Sequence, residues 1–75
     1  MTLTDWINSM TAIKVSELLE VETNTIYYWR DLRTLPNPRI MRRIVKLTHG
    51  LVSYSDMIDP YFERKEFIEA QTKQR

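Results

Sequence analysis

The chain contains no cysteine, a single glycine and a single histidine among its 75 residues. Without cysteine there is neither a disulfide framework nor a thiolate metal site, and one histidine cannot hold a metal ion by itself. No apolar run approaches the roughly 20 residues that cross a bilayer, and no signal-peptide pattern opens the chain. We therefore expect a cytoplasmic protein with no metal, no cofactor and no membrane partner.

Catalytic constellations are absent from the sequence as well. There is no nucleophile paired with a base, no glycine-rich phosphate loop and no cluster of metal ligands. A chain of this length makes one small domain, which buries roughly 60% of its unfolded surface. We expect a small globular domain that is not an enzyme.

Positive charge is concentrated in the middle of the chain, although the net charge is only +1. Residues 1–29 carry one lysine against four acidic residues, whereas residues 30–50 carry five arginines and one lysine against Asp31. Such a local basic block can indicate a binding partner even when the net charge is small. The alternative interpretation is that these residues form a solvated helix face.

Strand signals are poor and helix breakers are few, so the sequence predicts an all-α fold, a compact domain of four to five helices. Apolar residues three and four apart, with capping residues before them, delimit the helices. The predicted helices are Leu3–Met10, Ala12–Leu19, Thr23–Leu32, Pro38–Thr48 and Tyr54–Ile58, the last one ended by Pro60. The expected caps are Thr2 or Thr4, Thr11, Asn37 and Ser53, with Gly50 as the left-handed stop after the fourth helix.

Helices of this length are not stable alone, so they must share one core. On the fourth helix, Ile40, Ile44 and Leu47 form an apolar stripe opposite a basic one. The predicted core residues are Leu3, Trp6, Ile7, Met10, Val15, Leu18, Leu19, Val21, Ile26, Trp29, Ile40, Ile44, Leu47 and Val52.

The second and third helices are separated by about three residues, which is typical of a helix-turn-helix. Small Ser16 lies where the third helix must cross closely, Val21 fills the turn, and Ile26 packs back from the third helix. The sequence therefore predicts a helix-turn-helix built from the second and third helices.

With these residues in place, the chain resembles the small phage and bacterial regulators of the Cro and lambda-repressor type. In that family the stretch often reads small residue, Gly-Val-Ser, Ile or Val, then Trp. Here those places hold Ser16, Glu20-Val21-Glu22, Ile26 and Trp29. The following "LPNPRIMRRIVKLTHGLVSYSDMI" is similar to the family's continuation, in which a Pro-containing loop leads to a helix, a Gly and a short helix. The resemblance covers roughly residues 3–59 and implies a lambda-repressor-like fold.

Two acidic residues depart from the family's turn, and both bear on the pose of the third helix. Glu20 stands in the place of Gly, where a left-handed non-Gly residue costs on the order of 1 kcal/mol. Glu22 stands in the place of the capping Ser; its carboxylate suits the helix dipole but would lie near DNA phosphates.

The third helix has an inward face marked by Ile26 and Trp29, which lie about 60° apart on a helical wheel. If this helix enters the major groove, the resemblance implies that its opposite side contacts DNA bases. The expected base-contacting residues are Thr23, Asn24, Tyr27 and Tyr28. Asn pairs bidentately with adenine, Thr touches bases or a thymine methyl, and Tyr reaches a base edge or a phosphate. The alternatives are a local capping role for Asn24 and packing of one tyrosine against the first helix or the tail.

Cations beside this face are expected to hold phosphates, which carry affinity but no sequence information. The expected phosphate-contacting residues are Thr11, Lys14, Arg30, Arg33, Asn37 and Arg39. For Arg42, Arg43 and Lys46 a solvated face is an equally good interpretation.

The resemblance implies a sequence-specific DNA-binding transcriptional regulator, a phage or prophage Cro-like repressor. It would bind double-stranded DNA as a dimer or as cooperative neighbours. We predict a DNA-binding domain over residues 1–59 and a tail over residues 60–75, of helix-forming composition, as the candidate oligomerisation segment.

Two alternative functions stay open. One is a phage excisionase or recombination-directionality factor that bends DNA for an integrase and also represses. The other is an antitoxin-like protein-interaction module.

Overall fold

The computed structural model describes residues 1–73, with side chains through Gln71; Gln74 and Arg75 of the predicted tail lie outside the described residues. Within that part of the chain the fold is all-helical and has no strand, which confirms the predicted fold class. The helices are α1 (Leu3–Met10), α2 (Ala12–Leu19), α3 (Thr23–Arg30), α4 (Pro38–Leu47) and α5 (Tyr54–Lys73). Over residues 1–73, no helix combines the length and the apolarity that crossing a membrane requires.

One core joins all five helices, because each helix contributes a fully buried side chain. These are Ile7, Val15, Ile26, Ile44 and Met57, in helix order. Helices α1, α2 and α3 pack on one another, and α5 packs on α4. Burying one such aliphatic side chain stabilises the fold by about 1.5–3 kcal/mol, whereas an isolated helix of eight residues is unstable in water. The short helices are therefore stable only as a set.

Two predicted core residues are wrong, since Leu18 is 43% exposed and Leu47 is 46% exposed. On α2 the buried line runs through Val15, Ser16 and Leu19, which turns Leu18 toward solvent. On α4 the buried side chains are Met41 and Ile44, so the predicted stripe was rotated by about one position. Ile40 is half-buried against the core.

The remaining predicted core residues are buried or packed against the core, with Met10 and Val21 only partly covered. The prediction missed Met41 and Met57, both of which are buried. Met57 lies in the first turn of α5, where it brings this helix onto the rest of the domain.

Side chains cap the helices where the sequence predicts. The Asp5 N–H donates to the Thr2 hydroxyl at 3.1 Å, and the Lys14 N–H donates to the Thr11 hydroxyl at 3.4 Å. The Ile40 N–H donates to Asn37 Oδ1 at 2.9 Å. Each cap satisfies one backbone donor that the first turn of a helix leaves unpaired.

The turn between α2 and α3 is closed by a left-handed glutamate. Glu20 has φ 56° and ψ 44°, and the Val21 N–H donates to the Ser16 carbonyl at 3.1 Å. Val21 packs against the core, while Glu22 precedes α3 without making a side-chain cap. The predicted cost of a non-glycine residue at this turn therefore applies to Glu20.

The ends of α3 and α4 lie within two residues of their predicted positions. Helix α3 ends at Arg30 rather than Leu32, because Leu32 adopts φ 60° and cannot continue a right-handed helix. Helix α4 ends at Leu47, and the buried Thr48 hydroxyl donates to the Ile44 carbonyl at 2.8 Å. Gly50 has φ 83° and provides the expected left-handed stop.

The prediction that Pro60 ends the fifth helix at Ile58 is wrong, because α5 continues through Pro60 to Lys73. Proline lacks an N–H and so removes the bond to the Asp56 carbonyl, but its φ of about −65° is helical. Since Asp56 is partly exposed, water can satisfy that carbonyl. The long α5 runs across the predicted boundary between residues 59 and 60.

A reciprocal pair of hydrogen bonds starts α5. The Asp56 N–H donates to the Ser53 hydroxyl at 3.2 Å, and the Ser53 N–H donates to Asp56 Oδ2 at 3.0 Å. The Met1 ammonium lies 3.4 Å from the same carboxylate oxygen. The Ser53 backbone N–H and hydroxyl, followed by the Met1 charge, lower the pKa of Asp56.

Replacing Glu20 with glycine should raise the free energy of unfolding by about 0.5–1 kcal/mol, because glycine adopts the left-handed turn without a Cβ clash. The measurement is urea denaturation followed by far-UV circular dichroism. Glu22→Gly is the matched control, since it removes the same charge at an ordinary φ of −66° and should not stabilise. A Glu20→Gly variant that is less stable than the parent chain would show that the left-handed conformation of Glu20 is not strained.

The Asp56 carboxylate should make stability pH-dependent. Because its pKa is lowered in the folded state, the contribution is fully present at neutral pH and is lost as pH falls through the folded-state pKa, below about pH 4. Asp56→Asn keeps the hydrogen-bond acceptor but not the charge. The stability difference between the parent chain and this variant, measured by thermal unfolding, should shrink from pH 7 to pH 3. A stability difference that stays constant over this range would show that protonation of Asp56 does not change the stability of the fold.

Candidate nucleic-acid interface

Helix α3 presents two distinct faces. Ile26 is fully buried and Trp29 is 3% exposed, as predicted for the inward face. Asn24, Tyr27 and Tyr28 lie on the opposite side, with Tyr27 38% and Tyr28 48% exposed. The structure therefore brings three of the four predicted base-contacting residues onto one outward surface.

Thr23, the fourth of them, is only half-exposed and is partly engaged within the domain. Its hydroxyl lies 3.4 Å from the Ser16 hydroxyl, which donates in turn to the Ile13 carbonyl at 2.6 Å. Ser16 is buried, as expected for a small residue at a close helix crossing. This contact holds the start of α3 against α2, so Thr23 positions the helix as well as bordering its outward face.

Asn24 lies in the first turn of α3 and is exposed. Across residues 1–73 its side-chain amide has no intramolecular hydrogen-bond partner, so both its donor and acceptor groups face solvent. An amide with this freedom can form a bidentate pair with a ligand. The local capping role is taken by neither Asn24 nor Glu22.

Arg30 is engaged at the far end of the same helix. Its guanidinium carbon lies 4.8 Å from the centre of the Tyr27 ring, and its Nε lies 3.1 Å from Asp31 Oδ1. Such an exposed ion pair contributes only about 0–1 kcal/mol, so a phosphate can compete for the cation. The Thr4 hydroxyl donates to the Arg30 carbonyl at 2.8 Å and ties this end of α3 to α1.

The basic stripe of α4 lies opposite the buried Met41 and Ile44. Its members are Arg39, Arg42, Arg43 and Lys46, all exposed. Arg43 differs from the others because its guanidinium donates to the Leu18 carbonyl at 3.2 Å and the Leu19 carbonyl at 3.4 Å. These carbonyls end α2, where a cation also meets the negative end of the helix dipole. Arg43 is thus a structural link between α4 and α2.

The other predicted phosphate-contacting residues are spread over several elements. Arg33 lies in the loop three residues after α3, and its N–H donates to the Tyr28 carbonyl at 2.9 Å. Thr11 and Asn37 cap α2 and α4, so their acceptor oxygens are already used. Lys14 is exposed on α2 beside an apolar groove lined by Met10, Glu17 and Leu18. The structure places Arg30 at the C-terminal end of α3 and Arg33 in the loop after it, whereas Lys14 and Arg39 lie on other helices.

Besides the groove next to Lys14, two further surface grooves were not predicted. One of about 290 Å³ lies between the α3–α4 loop and α5, and its lining residues are Leu32, Arg33, Tyr61, Arg64, Lys65 and Ile68. Arg64 and Lys65 were not predicted as site residues, because the fifth helix was predicted to end at Ile58. The available signal was the spacing of positions 61, 64, 65 and 68, which share one face of a helix.

The second groove, of about 400 Å³, is mainly apolar and lies between α1, α2 and α4. Its lining residues are Trp6, Met10, Leu18, Leu47, Thr48, His49 and Leu51. The two residues wrongly predicted as core, Leu18 and Leu47, both lie here. In residues 1–73, no three His, Cys, Asp or Glu side chains are grouped to hold a metal ion.

Comparison with known proteins found no family model, curated protein or solved structure that matches the chain. The chemistry of this surface must therefore be inferred from its own residues. Their arrangement combines exposed hydrogen-bonding side chains on one helix with cations on the segments around it.

Arg43→Gln should lower the free energy of unfolding by about 1 kcal/mol, because two α2 carbonyls lose their charged donor. Arg42→Gln is the matched control; it removes the same charge one position away and should change stability by less than about 0.5 kcal/mol. Chemical denaturation of both variants measures the difference. Equal stability of the two variants would show that Arg43 is an ordinary solvated cation.

Proposed function

We propose that the protein is a sequence-specific DNA-binding transcriptional regulator, a Cro-like repressor of phage or prophage type, located in the cytoplasm. In this proposal α2 and α3 form a helix-turn-helix, and α3 enters the major groove of double-stranded DNA. The observation that carries it is the outward face of α3, where Asn24, Tyr27 and Tyr28 are exposed while Ile26 and Trp29 anchor the helix.

The local geometry of α2 and α3 supports this arrangement. Three residues separate the two helices, Glu20 adopts the left-handed conformation, and Val21 packs on the core. Ser16 is buried beneath Thr23, which permits a close crossing. A helix held in this way can enter a groove about 12 Å wide without rearrangement of its own backbone.

The chemistry of the outward face suits base recognition. The free amide of Asn24 matches the N6 and N7 edge of adenine, a bidentate pair that discriminates by about 1–3 kcal/mol. The two tyrosines offer ring edges to thymine methyl groups and hydroxyls to bases or phosphates. The Arg30 guanidinium lies over the Tyr27 ring, which reduces the side-chain freedom that this tyrosine would lose on binding.

Phosphate contacts are assigned to the surrounding cations and helix starts. Arg33 and Arg39 are exposed, and no carboxylate in residues 1–73 pairs with either. Lys14 and Arg30 add charge on α2 and at the end of α3. Thr11 and Asn37 mark the N-termini of α2 and α4, where backbone N–H groups and the helix dipole favour a phosphate.

Self-association is part of the proposal, because a single domain of this size contacts few base pairs. Exposed Phe62 and Phe67 on α5 support a role of this helix in such contacts. The apolar groove around Leu18 and Leu47 is a second surface with the required character.

The decisive test is selection of bound sequences from a random DNA pool, with the stoichiometry measured on the selected duplex. A regulator of this type should enrich one short sequence and bind it as a dimer or as adjacent copies. A protein that binds DNA without enriching a sequence would be an architectural binder, and a protein that binds no duplex would overturn the proposal.

Within this proposal, α3 and α4 have separable roles. Asn24→Ala should weaken binding to the selected sequence by about 1–3 kcal/mol and relax preference at one position. Arg39→Ala should weaken binding to selected and random duplexes alike. It should also reduce the magnitude of the slope of log K against log salt by about one, because one phosphate contact is lost. Fluorescence anisotropy on both duplexes measures these effects. Similar losses on both duplexes for both variants would contradict this division.

A further inference from the structure

The groove between the α3–α4 loop and α5 contains one residue with a role in the proposal above, Arg33, while its α5 side has none. Arg33 enters it from the loop, and Arg64 and Lys65 enter it from α5. Leu32 and Ile68 supply apolar walls, and Tyr61 supplies a phenol hydroxyl. Three cations therefore border one open groove of about 290 Å³.

Charge on α5 is sorted by face. With about 100° per residue, Tyr61, Arg64, Lys65 and Ile68 lie within about 50° of one axis, which is the groove side of the helix. The glutamates at positions 63, 66 and 69 lie about 90° or more from that axis. A helix that only needs solubility has no reason to separate its charges in this way, because interspersed opposite charges stabilise it more.

The cations at the groove also lack internal compensation. In residues 1–73, no carboxylate forms an ion pair with Arg33, Arg64 or Lys65. Bringing like charges together is unfavourable, and an anion bound among them removes that repulsion. A cleft lined by one sign of charge and by apolar walls concentrates its field on such an anion.

We propose that this groove binds a phosphate of the DNA backbone, with Arg33, Arg64 and Lys65 as its cations and the Tyr61 hydroxyl as a neutral donor. This inference rests on the proposed DNA-binding function and extends it. Arg33 lies three residues after the end of α3, and its N–H donates to the Tyr28 carbonyl at 2.9 Å, so the groove begins beside the C-terminal end of this helix. Helix α5 thereby becomes part of the DNA-binding surface.

The test measures how the affinity of the full chain for a labelled random-sequence duplex depends on KCl between about 50 and 200 mM. Removing both α5 cations, Arg64→Gln with Lys65→Gln, should reduce the magnitude of the negative slope of log K against log salt by about one, the contribution of one neutralised phosphate; Arg64→Gln alone should reduce it by less. Glutamine keeps the helix propensity of both positions, and circular dichroism checks the fold of each variant.

Two variants serve as matched controls. Arg64→Lys keeps the positive charge and should keep a slope close to that of the parent chain. Lys46→Gln removes one charge on α4, away from the groove, and should leave the slope unchanged.

The outcomes separate the two proposals. If the parent chain binds duplex DNA and the salt dependence becomes shallower only for the glutamine variants at Arg64 and Lys65, the groove holds a phosphate. If the parent chain binds and these variants keep its slope, the groove proposal is overturned while the DNA-binding function stands. If the salt dependence becomes equally shallow for Lys46→Gln, the change is caused by the overall charge of the domain, and the groove proposal is again overturned. A parent chain that binds no duplex overturns both.

Discussion

Packing of Ile26 and Trp29 against the core is the interaction on which the rest of the candidate interface depends. Both side chains are buried and lie on one side of α3. An eight-residue helix has almost no stability of its own, so its outward face exists only because these two residues hold it in place. Contacts at its two ends, between Thr23 and Ser16 and from Thr4 to the Arg30 carbonyl, leave the helix little freedom to rotate.

The basic residues, which form one block in the sequence, have three different surroundings in the fold. Arg43 donates to the carbonyls that end α2. Arg30 pairs with Asp31 and lies over the Tyr27 ring. Arg33 and Arg39 have no carboxylate partner in residues 1–73, and α5 brings Arg64 and Lys65 beside Arg33. The charge of this last group is not already used within the domain, which is why DNA phosphates are assigned to it. Arg42 and Lys46 are exposed on α4 as well, and no phosphate is assigned to them.

Much of the outward face of α3 could be predicted, because a helical wheel and two large apolar residues are enough to define an inward side. The separation of Tyr27 and Tyr28 from Trp29 followed from that geometry alone. The engagement of Thr23 with Ser16 could not be predicted, since it depends on the distance between two helices. The pairing of Arg30 with Asp31 depends on the rotamers of two neighbouring side chains, which the helical wheel does not contain. The spacing of positions 61, 64, 65 and 68 indicates one face of a helix, but the groove itself forms only where that face meets the α3–α4 loop.

The sequence by itself determined the helical class, the ends of α1 and α2, and the capping roles of Thr11, Asn37 and Ser53. These features are local, because a cap or a periodic stripe depends on residues within one or two turns. Tertiary structure alone decided that Leu18 and Leu47 face solvent and that α5 passes through Pro60. An apolar side chain on the edge of a stripe is buried only if another helix covers it, and no periodicity within one helix contains that information.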